Sequence, residues 1–122
     1  MMNALIDLKV PLQSELMTTV RLLTGGVCSL VGLGLEASED CKVCVTESLL
    51  LLKHGGYTSA RLIFTREKGV HVTIEGEEGG GEKVSSMEEE ISVALLQALV
   101  KDLTMNKTEA GASCISFGFE ID

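Results

Sequence analysis

The chain has 122 residues, 45% of them hydrophobic, and a formal charge of −8, enough for one compact core over residues 1–122 and too little for two. Its longest apolar run, Ser48 to Leu52 with Val43 and Val45 before it, is far short of the roughly 20 residues that cross a bilayer. The start of the chain also lacks a basic segment followed by an apolar stretch and a cleavage site, so the expectation is a cytoplasmic protein without a membrane anchor.

The opening residues alternate as Leu5, Asp7, Leu8 and Val10, a pattern that predicts a short edge strand ended by Pro11. Ser14 then offers an N-cap, and Leu16, Val20, Leu22, Leu23, Val27, Leu30, Val31 and Leu33 recur at helical spacing. This predicts one amphipathic helix, with Gly25-Gly26 as the place for a kink. Ser38-Glu39-Asp40 opens a second helix, because serine can cap and the acids complement the positive helix end, and Gly55-Gly56 closes it. Tyr57 to Thr65 and Val70 to Glu75 alternate around the turn Arg66 to Gly69, which predicts a β-hairpin. Gly76 to Ser86 reads as a flexible acidic glycine and glutamate loop. A third helix follows, marked by Ile91, Leu95, Leu96, Leu99 and Leu103, and then a last strand from Ser113 to Ile121. The order β-α-α-β-β-α-β predicts an α+β two-layer sandwich, with three helices on one face of a mainly antiparallel four-stranded sheet.

Charge is concentrated. Residues 75–90 hold seven glutamates (75, 77, 78, 82, 88, 89 and 90) against the single Lys83, so this stretch carries −6 of the −8. Such a surface repels phosphate backbones, and no cluster of Lys or Arg compensates for it, which argues against nucleic acid as a partner. One tyrosine, three phenylalanines and no tryptophan give no stacking platform for bases or sugars. Cys41 and Cys44 form C-x-x-C, and Cys28, Cys114, His54 and His71 are the other soft ligands. There is no second pair at comparable spacing, and on a helix the two cysteines stand one turn apart. The expectation is therefore core thiols and no metal, with a metal or redox sensor as the alternative. Two histidines, one of them in a predicted strand, support no Ser-His-Asp arrangement.

The stretch from Glu39 to Tyr57 resembles the second helix of the small anti-sigma-factor serine kinases of the GHKL (Bergerat, histidine-kinase-like) ATPase superfamily. Asp40, Lys42, Val45, Glu47 and Tyr57 fall on or near the pattern D-x-K-x-x-V-x-E-x-x-x-N-A-x-x-H-x-Y. Leu51 stands where the asparagine belongs and Gly55 where the histidine belongs, with His54 one place early. The order of elements is also that family's. The resemblance implies that Glu47 is the vestigial base toward a hydroxyl and that position 51 would supply an oxygen to Mg²⁺. Leucine has none to give, and Mg²⁺ demands near-octahedral oxygen coordination. A lysine-paired, half-buried acid is the other reading of Glu47.

The resemblance further implies an adenine-binding D-x-G-x-G after the hairpin. Here the choices are Glu75-Gly76 or Glu77-x-Gly79-x-Gly81, both with glutamate for aspartate, while a plain solvated loop is the alternative. A third element, a glycine-rich phosphate turn, is replaced by Ser85 to Ile91. There Ser86 with Glu89 reads as a capping box, and Glu88 to Glu90 place carboxylates where phosphate would sit. The stretch before this helix is too short for a substantial ATP lid. Together the resemblance and its departures imply a degenerate regulatory domain that acts through protein contacts, with no cofactor. Its partner would be a sigma factor, a STAS-type anti-anti-sigma protein or a second copy, in bacterial-type signalling. An active ATP- and Mg²⁺-dependent serine kinase using Glu47 is the rival.

Overall fold

The computed structural model describes residues 4–80 and 87–121. In chain order they form β1 (Ala4–Pro11), a 3-10 turn (Ser14–Leu16), α1 (Met17–Leu30), α2 (Leu35–His54), β2 (Tyr57–Arg66), β3 (Gly69–Gly79), α3 (Met87–Leu99), β4 (Thr104–Lys107) and β5 (Ser113–Glu120). The sheet order is β1-β2-β3-β5-β4, with every neighbouring pair antiparallel. The fold is thus α+β, and the sheet has five strands where four were predicted. The added strand, β4, reads Thr-Met-Asn-Lys and is exposed along its length. Without an apolar alternation it carries no strand signal of its own.

Alternation sorts the sheet into two faces. Val10, Ala60, Leu62, Phe64, Val70, Val72, Ile74, Ile115, Phe117 and Phe119 point one way and are buried. Against them lies the helical layer, with α2 between α1 and α3. Val20, Val27 and Cys28 of α1, Cys41, Cys44, Val45, Leu49 and Leu52 of α2, and Leu96 of α3 complete one core. Of the buried hydroxyls in this layer, three are satisfied within their own helix: Thr24 Oγ1 donates to the Val20 carbonyl at 2.8 Å, Thr46 Oγ1 to that of Lys42 at 2.8 Å and Ser48 Oγ to that of Cys44 at 2.7 Å. Among the described residues no helix is long and apolar enough to cross a membrane.

Helix ends differ from expectation in ways that local chemistry explains. Ser14 opens a 3-10 turn and caps nothing; its hydroxyl accepts a hydrogen bond from Lys53 Nζ at 3.0 Å. α1 runs unbroken through Gly25-Gly26 and ends in a Schellman turn, in which the Gly32 amide bonds the Ser29 carbonyl and the Leu33 amide that of Cys28. α2 therefore begins at Leu35 after an extended Gly34, one turn before Ser38, whose hydroxyl reaches back to the Leu33 carbonyl at 3.5 Å. β3 continues to Gly79, so residues 76–79 belong to a strand rather than to the predicted loop. Their pairing with β2 is irregular, with register shifts on either side of Ser59. Gly81, Glu82 and the proposed cap Ser86 lie outside the described residues.

Candidate functional site

Helix α2 carries the residues singled out from the sequence. Glu36 in its first turn and Lys53 and His54 in its last complement the helix dipole, and Gly55 stops it. Positions 47, 51 and 54 fall on one face of such a helix, and that face meets α3. Ser92 Oγ, buried on α3, donates to Glu47 Oε1 at 2.9 Å. One turn on, Leu51 is half-buried against the core. A further turn on, His54 Nδ1 lies 3.7 Å from Glu88 Oε2, an ion pair whenever the imidazole is protonated. The partner of Glu47 is thus a hydroxyl and not the lysine expected of a structural acid. The neighbour of Glu47 one turn along the helix is Leu51.

The motif's aromatic end is also filled from within. The Tyr57 ring packs over Gly76 and Gly80: a β-carbon on Gly76 would fall 2.3 Å from ring Cε1, and one on Gly80 2.6 Å from it. The phenol oxygen accepts the Ser113 amide at 2.9 Å, tying β2 to the start of β5. That hydrogen bond holds the phenol below the usual tyrosine range. Gly76, which the resemblance gives to a ligand's approach, here makes room for a side chain of the same protein.

Glu75 and Glu77 are not brought to Glu47. Ile74 faces the core, so Glu75 points to the bare side of the sheet, opposite Arg61 and Cys114 in register. Glu75 and Glu77 both act on Arg61, whose strongest partner is Asp7, bonded through both carboxylate oxygens at 2.9 and 2.6 Å. The guanidinium in turn holds Asp7 below the usual carboxylate range. Lys9 pairs with Glu78 on the same side. The acidic stretch is therefore not one surface: Glu75, Glu77 and Glu78 lie on the outer sheet face among cations, while Glu88, Glu89 and Glu90 sit in the first turn of α3. Asp40 and Lys42 of the motif are apart as well, Lys42 pairing with Glu39 at 3.0 Å.

Cys28, Cys41 and Cys44 are free and fully buried, and Cys114 is half-buried on β5. Cys41 lies against Cys28 across the α1–α2 contact; the pairing draws the Cys28 thiol below the usual range and, with burial, pushes the Cys41 thiol up. Burial pushes Cys44 up to about 12, with Asp40 and Glu47 adding to it. The Cys41 and Cys44 thiols keep their protons, and the thiolate is the form that ligates and attacks. Among the described residues, no group of three or more His, Cys, Asp or Glu side chains is arranged to hold a metal ion. Sequence reasoning missed Ser92 and Ser113 as the partners of Glu47 and Tyr57. The spacing of Glu88, Ser92 and Leu96 on α3 was the available sign that this face meets another helix. Comparison of the sequence with protein-family models finds no match, and comparison with curated proteins finds none either.

Proposed function

We propose that this chain is a catalytically degenerate regulatory domain, similar to the anti-sigma-factor kinases of the GHKL superfamily, which acts by holding protein partners and has lost ATP binding or kept it only weakly. One observation carries the reading: the face of α2 bearing Glu47 and Leu51 is taken up by α3, through the Ser92 hydroxyl on Glu47. Leucine at the magnesium position and Tyr57 over Gly76 and Gly80 support it. By resemblance the partner classes are a sigma factor, a STAS-type anti-anti-sigma protein or a second copy. Under the rival reading, an active serine kinase, Glu47 would have to exchange Ser92 for a substrate hydroxyl.

The test is thermal melting with and without millimolar Mg-ATP. A ligand at 100 times its Kd stabilises by roughly 2.7 kcal/mol, several degrees for a domain of this size. No shift is expected; a rise of several degrees would overturn the proposal in favour of the kinase.

A further inference from the structure

The Schellman turn that ends α1 turns Leu33 inward, at 8% exposure, and leaves Leu35 outward at 81% in the first turn of α2. Beside Leu35 the surface is concave. A groove of about 570 Å³ is lined by Leu35, by Phe119 at the end of β5 and by Ile121, itself 48% exposed. Three carboxylates share the lining: Glu36, Asp40 and Glu120. No described lining residue is basic.

A lone exposed leucine is ordinary on any protein surface. Two exposed aliphatic side chains facing a concavity with three acids around them are a different matter, because an aliphatic group entering there is desolvated while a cation beside it finds complementary charge. We propose that this groove docks a basic, aliphatic segment of another protein. A leucine-like side chain inserts beside Leu35 and Ile121, and lysine or arginine lies against Glu36, Asp40 and Glu120. The inference rests on the reading of the chain as a protein-contact domain. A second copy fits less well: each copy carries −8, and the cations beside exposed Leu22 are already engaged, Arg21 with Thr46 and Lys42 with Glu39.

The probe is a short synthetic peptide alternating leucine and arginine, compared with its leucine-to-serine and arginine-to-glutamate counterparts. Binding is followed by backbone amide NMR shifts on the full chain. The first peptide is expected to move amides of residues 35–40 and 119–121, and its counterparts to leave them unmoved. Leu35→Ser, exposed and so folding with an unchanged melting temperature, should abolish those shifts. Glu36→Gln with Asp40→Asn should weaken binding about tenfold at low salt. That difference should vanish as salt shortens the Debye length from about 10 Å to 3 Å. Shifts confined to residues 75–90, equal binding of the glutamate peptide, or binding unaffected by Leu35→Ser would each overturn the proposal. So would Leu35-dependent self-association in sedimentation, which would put a second copy in the groove. A melting shift with Mg-ATP alongside normal peptide binding would remove only the degenerate-ATPase reading; no shift and no peptide binding would remove only the groove.

Discussion

Tyr57 has two roles within the protein itself, neither of which needs a ligand. Its ring fills the space that the absent β-carbons of Gly76 and Gly80 leave, and its hydroxyl takes a backbone amide that would otherwise face a strand end unpaired. Two substitutions separate these roles. Tyr57→Phe removes only the acceptor for Ser113 and should cost about 1 kcal/mol in denaturant unfolding. Gly76→Ala drives a methyl to within 2.3 Å of the ring and should cost about 1–3 kcal/mol through overpacking. A neutral Gly76→Ala would show that the ring swings out freely and does not hold the backbone at Gly76 and Gly80. The cysteines follow the same logic of occupancy. Spacing alone reads Cys41 and Cys44 as core residues or ligands; burial of both on α2, with Cys28 against Cys41, assigns them to packing.

At the scale of elements, the contact between α2 and α3 governs the site. Glu47 and Ser92 lie on different helices with their hydrogen bond half-buried, so a double-mutant cycle of Glu47→Ala and Ser92→Ala should give a coupling energy of about 1 kcal/mol. Additive effects would mean that α3 does not rest on Glu47 in solution. Much of this layer was legible in the sequence. The 3.6-residue period marked α1 and α3, the first-turn acids and closing Gly55-Gly56 marked α2, and alternation marked β1, β2 and the first half of β3, because their inner positions are large and apolar. The starts of α1 and α2 were not legible, since Ser14 and Ser38 are good caps in isolation, while the Schellman turn at Gly32 sets where α2 begins. The far end of β3 was hidden because Gly76 to Gly79 read as a loop until pairing with Tyr57 to Ala60 is considered. Glu47 was legible as the chemically interesting carboxylate; its partner was not, because nothing in the spacing of α2 says which side chain of α3 will face it.

For the whole molecule, the controlling fact is that, among the described residues, the helices cover one sheet face and leave the other bare. The covered face holds one continuous core around β3, which is flanked by β2 and β5. The bare face balances its glutamates against Lys9 and Arg61. Stability should therefore fall from the middle of the sheet outward, and native-state hydrogen exchange measures that gradient. Amides of β3, of the segments of β2 and β5 paired with it, and of the buried turns of α2 should exchange only on global unfolding, at about 5–15 kcal/mol for a domain of ordinary stability. β1 should be intermediate: it is an edge, yet Val10 is buried, Leu8 is packed on the core, and Asp7 and Lys9 pair onto the neighbouring strands. β4 is four residues, exposed throughout and bonded on one side only, so its amides should open locally and exchange fastest of any strand. Protection of β4 equal to that of β3 would contradict this ranking. It would mean that the β4 edge is covered in solution, and since an open edge pairs most readily with another strand, the oligomeric state would then have to be measured before any partner is sought.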